Sequence, residues 1–352
     1  MENLSAENVA KLEETIAPFS AFSSIEFLDI SNNNAPKEET KKNQAAKSDH
    51  YQNIDPIIAN KIEELFTKLS DFSQKRFSKM IMCRFFFASL FPQYDKMIMF
   101  DVDTLFVNDM SESFFIPLET HYFGAVREKD LIAMNRNSAK DLYELRQMHA
   151  KTIGVADAFP NLEEAQILFD NYFNAGFLAL NLKLWREENL ENQLIGFFLL
   201  KNEKLLFNDQ DALCFVCRYR ILELPYSYNA HPSFLDTPSF PSFKEARMLH
   251  FWGDKPWKLL SVIGAKKWHE VLIETPFKDA YFNAPFLDHL FESLQNKDKE
   301  TQEIHAFNKA LSFSDKRYSF EFLLPRLSSK LLVGFLLFKI KQKVKRLVKR
   351  VF

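Results

Sequence analysis

The sequence predicts an α/β protein, a sheet flanked by helices and followed by a basic amphipathic tail. Three observations carry this. Short apolar or β-branched runs near 24–30, 97–100, 123–126, 174–185 and 221–229 alternate with helical stretches. The run Met97–Phe100, of the kind that fills a strand buried on both faces of a parallel sheet, stops abruptly at Asp101-Val102-Asp103, as such a strand does where it reaches solvent. From Arg326 onward the chain has nine Lys/Arg and no Asp/Glu, so the composition changes character there.

A chain of 352 residues with 47% hydrophobic and 26% charged residues can bury a large core as one or two domains. The net charge of −2 gives no general case for nucleic acid, but it hides an asymmetry: residues 1–325 hold 36 basic and 47 acidic residues, a net −11. Phe is unusually frequent, at 38. Three cysteines, Cys83, Cys214 and Cys217, are too few and odd in number for a disulfide framework, and they predict a reducing compartment. Cys214 and Cys217 lack a second pair to complete a metal site, and at helical spacing they pack as small apolar residues. The polar, acidic first residues do not read as a secretory signal. No apolar run reaches the roughly 18–20 residues of a membrane span.

In chain order, Leu4–Pro18 reads as a helix with Ser5 as N-cap, Val9, Leu12 and Ile16 as its apolar stripe and Pro18 as its stop. Ser24–Ile30 reads as a strand. Residues 31–53, rich in Asn, Lys, Glu and Gln, read as a mobile polar insert. A helix follows over 56–70. Residues 76–91 are apolar nearly all round and predict a buried helix that feeds the 97–103 strand. Arg84 is out of place inside it and needs an anionic partner, from the protein or from a ligand phosphate. Then come a strand at 123–126 and a charged helix over 138–151. Asn174-Ala175-Gly176 is a small-residue corner opening an apolar strand, where Gly lets a backbone or ligand approach closely. Asn208-Asp209-Gln210-Asp211 starts a helix, and capping alone would account for Asn208 and Asp209. Residues 221–229 read as a strand passing into a turn. At Met248-Leu-His250-Phe-Trp-Gly253-Asp-Lys255-Pro-Trp257, a strand-end His is followed by a Gly turn and a Lys beside Pro. His250 on an apolar face suits a satisfied core residue. It equally suits a metal ligand, with Gly253 a close backbone approach and Lys255 a phosphate-binding cation.

Alternate strand residues share a face, so Asp101 and Asp103 are expected to point the same way at the carboxyl end of their strand, where open α/β sheets bind ligands. Two carboxylates there suit a hard divalent cation with sites left for phosphate; the bland reading is an acidic strand end in solvent. A phosphatase of the Asp-x-Asp-x-Thr type is disfavoured, because Thr104 follows Asp103 one position too early.

Taken together, Asp101-Val-Asp103, Phe173-Asn-Ala-Gly176, Asn208-Asp-Gln-Asp211 and His250-Phe-x-Gly-x-Lys-Pro-Trp257 resemble family 8 retaining glycosyltransferases, most closely the bacterial galactosyl- and glucosyltransferases of lipopolysaccharide or lipooligosaccharide cores. The resemblance implies a type A glycosyltransferase (Rossmann-like) mixed sheet over 1–270, a helical extension over 271–325 and the tail at 326–352. It implies a UDP-glucose or UDP-galactose donor, Mn²⁺ (or Mg²⁺) held by Asp101, Asp103 and His250, and a lipid-linked oligosaccharide acceptor. Arg84, Asn174, Asp209 and Gln210 resemble the groups around the donor sugar, Gln210 lying near its reactive carbon with Asp209. Gly253 and Lys255 resemble the diphosphate contacts, with a one-residue gap that is shorter than in some members. The family's opening strand-helix-strand, with the groups that hold uracil and ribose, is expected upstream of Leu4. Without it the sheet has an apolar edge and donor binding is impaired, so a catalytically impaired, membrane-peripheral remnant is the competing reading.

In the tail, Leu331–Phe338 with Ile340, Val344, Leu347, Val348 and Val351 gives an apolar face, and seven Lys/Arg between Lys339 and Arg350 give the cationic part. This is the pattern of an interfacial helix on anionic lipid. It predicts a cytoplasmic protein, peripheral on the inner face of the plasma membrane, with no nucleic-acid partner.

Overall fold

The computed structural model describes residues 5–30, 51–128, 139–154, 156–201, 204–237, 240–259 and 262–281. The tail, most of the 271–325 extension and residues 31–50 of the polar insert lie outside the described residues. The chain divides into two compact units, Met1–His250 and Phe251–Phe352.

The strands of the first unit are β1 (Phe27–Asp29), β2 (Tyr51–Asn53), β3 (Lys96–Phe100), β4 (Thr104–Phe106), β5 (Phe123–Arg127), β6 (Phe173–Asn181), β7 (Ile221–Leu224) and β8 (Met248–His250). The main sheet has the order β3-β6-β5-β7; β6 runs antiparallel to both its neighbours, and β5 and β7 are parallel. β4 and β8 form a separate antiparallel ribbon, and β1 and β2 a parallel pair. The mixed α/β sheet is the one expected. Two local expectations are corrected. β3 is not a strand of a parallel sheet buried on both faces: it pairs antiparallel with β6, its residues are half-exposed and Phe100 is exposed. The 51–53 end of the polar insert is a strand, because Tyr51–Asn53 lies beside β1 in parallel register.

The first helix, Ala6–Ile16, starts where Ser5 Oγ accepts the N–H of Asn8, and Val9 is buried. Residues 79–86 wind as a 3₁₀ helix, followed by a single α turn over Phe87–Leu90, rather than one long α-helix. Ile81, Phe85, Phe86 and Phe87 are β-branched or aromatic and hold an α-helix weakly, so tertiary packing decides the winding. The main core gathers Ile62, Met82, Phe85, Trp185, Leu194 and Phe198 on one side of the sheet. Cys83, Cys214 and Cys217 are buried there as free thiols. A smaller cluster of Val126, Phe177, Leu224, Tyr228 and Met248 ties β8 and the 226–229 turn to the sheet. Its members Phe177, Tyr228 and Met248 are close in sequence to Gly176, Asn229 and His250 of the candidate site.

In the second unit, Gly264 at φ +86° precedes the helix Ala265–Ile273, and Trp268 packs on Trp257 with ring centroids 5.6 Å apart. Among the described residues, no helix is long and apolar enough to cross a membrane.

Candidate functional site

The site is built where β3, β6 and the β4–β8 ribbon converge. β6 carries a register shift against β5: Ala125 faces Leu178 and the next residue, Val126, faces Asn174. Residues Ala175–Phe177 are thereby looped out of that ladder, and Gly176 turns its carbonyl to the other side, where the Asp101 N–H donates to it at 3.0 Å. Asp101, Val102 and Asp103 form a turn between β3 and β4, with Val102 fully exposed. The expectation that the two acids share a strand face is therefore corrected. They converge because the turn reverses between them, and the Thr104 hydroxyl, donating to the Asp101 carbonyl at 2.7 Å, closes it. β4 then pairs with β8 so that Thr104 lies opposite His250.

This brings the three residues together. His250 Nε2 is 3.2 Å from Asp103 Oδ1 and 3.6 Å from Asp101 Oδ2, and one ligand atom from each residue falls within 4.8 Å of the others. An octahedral ion with bonds of about 2.1 Å places adjacent donors about 3 Å apart, so these separations fit a small divalent cation. Two carboxylates and one imidazole form a mixed hard-to-borderline donor set of the kind a divalent cation takes.

Gly176 is required here for its missing side chain. A Cβ on Gly176 would overlap the Cε1 and Nδ1 atoms of His250 and lie 2.9 Å from Asn174 Oδ1. The close approach expected from the sequence is made by an imidazole ring.

Arg84 bridges Asp101 and Asp209, donating through Nη2 to the first and Nη1 to the second. Burial opposes its charge, but the Asp209 and Asp101 carboxylates prevail and hold the guanidinium well above its usual range. Burial pushes the Asp209 carboxyl up against the pull of Arg84. Asp209 is therefore no helix cap. The helix Asn208–Val216 has Phe207 at its N-cap with no side-chain bond, and Asn208 enters at φ +31° with its amide buried and without a hydrogen-bond partner among the described residues. The start of this helix is held instead by Asp211, which accepts the N–H groups of Leu206 and Phe207 and pairs with the fully buried Arg146, itself shared with Asp157. Asp211 thus anchors the segment that projects Asp209 and Gln210.

Gln210 is fixed at both ends: Oε1 accepts the Ala175 N–H at 3.1 Å and Nε2 donates to Glu128 Oε2 at 3.3 Å. Asn174 is likewise engaged, Nδ2 donating to the same Glu128 oxygen at 3.1 Å and Oδ1 accepting from Gly176 N and Asn229 Nδ2. Glu128 and Asn229 were not picked out as site residues from the sequence. The only cue for Asn229 is its place at the end of a strand-to-turn segment, and Glu128 has none. Gly253 and Lys255 belong to the second unit. Gly253 sits at φ +93°, a left-handed turn that favours glycine, and Lys255 Nζ donates to the Phe251 carbonyl at 2.7 Å.

A mixed sheet with an acidic turn and an imidazole converging at one strand end defines an α/β protein with three side chains that could hold a metal ion. The chain belongs to glycosyl transferase family 8, whose description it matches over residues 4–260. It is 27% identical over 139 residues to a putative glycosyltransferase of Haemophilus influenzae, covering 40% of this chain and 35% of that protein. It is 26% identical over 122 residues to lipopolysaccharide 1,2-glucosyltransferase of Escherichia coli K12, covering 32% of this chain and 36% of the relative. The chain thus spans about a third of the length of these two curated relatives. Among solved structures, the galactosyltransferase LgtC in complex with donor and acceptor sugar analogs superposes with a TM-score of 0.52 at 17% identity, over 78% of this chain and 94% of that one. That likeness establishes the fold as the type A glycosyltransferase kind.

Proposed function

We propose that the protein is a retaining hexosyltransferase that moves glucose or galactose from a UDP-sugar to a lipid-linked acceptor of a lipopolysaccharide core, with Mn²⁺ (or Mg²⁺) as its metal. The observation that carries this is the convergence of Asp101, Asp103 and His250 at the end of β3. Family membership and the printed names of the relatives support the substrate class. When bound, the cation neutralises charge that develops on the departing diphosphate. The chain's own residues do the rest. Arg84 fixes the rotamers of Asp101 and Asp209 by bridging them. Gln210, pinned between Ala175 N and Glu128, presents a rigid amide rather than a nucleophile. The described site offers no pair of carboxylic acid and carboxylate of the glycosidase kind, and none is required if the departing phosphate takes the acceptor's proton. Gly253 and Lys255 are assigned to the diphosphate. The basic tail is assigned to an anionic bilayer, which brings the enzyme to a lipid-linked acceptor at the cytoplasmic face.

The competing reading is a membrane-peripheral relative with impaired donor binding. UDP release from UDP-glucose and UDP-galactose, measured with Mn²⁺, with Mg²⁺ and with EDTA, separates the two. Metal-dependent release that is lost in His250→Gln supports the enzyme, and release indifferent to EDTA contradicts the metal's role. Absence of both turnover and UDP binding would remove the enzyme reading. Sedimentation with anionic but not neutral vesicles, weakened by salt, tests the tail; equal binding to both contradicts it.

A further inference from the structure

The geometry points to Asn229 as the positioning residue that sets the protonation pattern of His250, and so prepares the metal centre before any ion arrives. The inference deepens the proposed function and rests on its assignment of His250 as a ligand. It follows from a chain of hydrogen bonds whose direction is fixed at its start, on Asn174, from two sides.

The first end is a backbone group. The Gly176 N–H can only donate, and it donates to Asn174 Oδ1 at 3.0 Å. The orientation of that amide is fixed a second time from its other side, where Nδ2 lies 3.1 Å from a Glu128 carboxylate oxygen, which accepts. Asn174 Oδ1 is therefore an oxygen on two independent grounds. Its second neighbour, 2.8 Å away, is the Asn229 amide, which must turn its NH₂ toward it. Asn229 then has only its oxygen left to face His250 Nδ1, also at 2.8 Å. An amide oxygen accepts, so Nδ1 must carry the proton.

A neutral imidazole has one such proton. In the neutral ring, protonation at Nδ1 leaves the Nε2 lone pair turned toward the carboxylates of Asp103 and Asp101. Lone pair and anions repel unless a cation lies between them. Free imidazole tends the other way, toward Nε2–H, which would donate to Asp103 and close the site. Asn229 therefore holds the ring in the less common tautomer. The relay is sheltered from competing water: Asn229, His250, Asn174 and Glu128 are all buried. It is also mechanically backed, because Tyr228 and Met248 beside its members lie in the smaller apolar cluster. A ligating imidazole whose other nitrogen is tied to an acceptor is the general device by which proteins orient such ligands.

The test uses the full chain and two variants. In Asn229→Leu, a side chain of similar size offers no acceptor. In Asn229→Asp, a carboxylate can still accept the Nδ1 proton. Histidine-selective nitrogen NMR of the metal-free protein, at about pH 8 where a typical imidazole is neutral, reads the tautomer, with His250→Gln assigning the signal. Mn²⁺ binding is read from loss of the free-ion EPR signal. The expected results are an Nδ1–H tautomer in the wild type and in Asn229→Asp. Asn229→Leu should shift toward Nε2–H and bind Mn²⁺ about 10–100-fold more weakly. Wild-type His250 in the Nε2–H form overturns the proposal before any variant is made. So does an Asn229→Leu protein that keeps both tautomer and affinity, or a folded Asn229→Asp that fails as badly as the Leu variant. If the wild type shows Nδ1–H dependent on Asn229 yet binds no Mn²⁺, the positioning role stands and the metal reading of the function falls.

Discussion

Replacing Gly176 by alanine adds one methyl group where the structure has already placed an imidazole. Gly176 has no left-handed φ, so its backbone tolerates alanine, and in a strand such a change alone stabilises by roughly 0.5–1 kcal/mol. Here the new Cβ would fall on the His250 ring and 2.9 Å from Asn174 Oδ1. Overpacking of that kind costs about 1–3 kcal/mol, which outweighs the gain over most of its range. A net loss near 1 kcal/mol lowers the melting temperature by about 2–4 °C for a domain of this size. The effect on the metal is larger, because the ring must leave the position from which Nε2 faces both acids. Mn²⁺ affinity should fall by at least about 100-fold, more than outer-shell changes produce. Gly196→Ala is the control: it lies in the helix Leu190–Lys201, its added Cβ meets nothing within 4 Å, and it should stabilise by about 1 kcal/mol without altering the metal. EPR titration with Mn²⁺ and thermal unfolding by circular dichroism read both quantities. A Gly176→Ala protein that binds Mn²⁺ as the wild type does and melts no lower would refute the reasoning.

Three further outcomes are expected. Arg84→Met leaves the Asp209 and Asp101 carboxylates uncompensated. Losing one member of a buried pair costs about 3–5 kcal/mol, and the partial exposure of Asp101 places this loss at the low end. The Asp209 carboxyl is already raised by burial, so its ionisation weakens folding as pH rises. Without Arg84 it rises further, and the variant's deficit in urea unfolding should be larger at about pH 7 than at about pH 5; a deficit independent of pH would contradict this. Burial pushes the Cys83 thiol up to about 11 and the Cys214 and Cys217 thiols higher, so an aromatic disulfide reagent at mildly alkaline pH should label none of them until the protein unfolds. A rapidly labelled thiol would contradict the packing. Asn208→Gly removes a buried, unmatched amide from a residue at φ +31° and should leave stability unchanged or raise it by up to about 1 kcal/mol; a marked loss in the melting curve would show that the amide is bonded.

The parts of this protein that were legible in the sequence are those with local signals. Periodicity and caps placed the helices Ala6–Ile16, Pro56–Thr67, Ala139–Ile153 and Asn208–Val216 and the main-sheet strands, but not the helices Leu162–Asp170, Leu182–Glu187, Leu190–Lys201 and Ala265–Ile273; Asp101, Asp103 and His250 stood out as polar residues ending apolar runs. What local signals could not convey was how those ends meet. Asp101 and Asp103 converge through a turn, since the short β4 pairs away from β3's sheet, and alternation within a strand was the wrong reason for a correct juxtaposition. Asp209 looked like a helix cap, whereas its partner Arg84 lies 125 residues away in sequence. Glu128 carries no pattern at all and Asn229 only its place at the end of a strand-to-turn segment, because one amide in a turn and one acid after a strand acquire meaning only from neighbours brought by the fold. Tyr51–Asn53, three polar or aromatic residues in a strand, owes its structure to pairing with β1 rather than to its own composition.

The account's central claim is that Asp101, Asp103 and His250 close on one divalent ion. Pulsed EPR of the Mn²⁺-loaded protein tests this most directly, because a coordinated imidazole nitrogen couples to the electron spin. The account predicts one bound Mn²⁺ per chain with a single such coupling, abolished in His250→Gln. Mn²⁺ bound without nitrogen coupling, or bound equally well without His250, would contradict it.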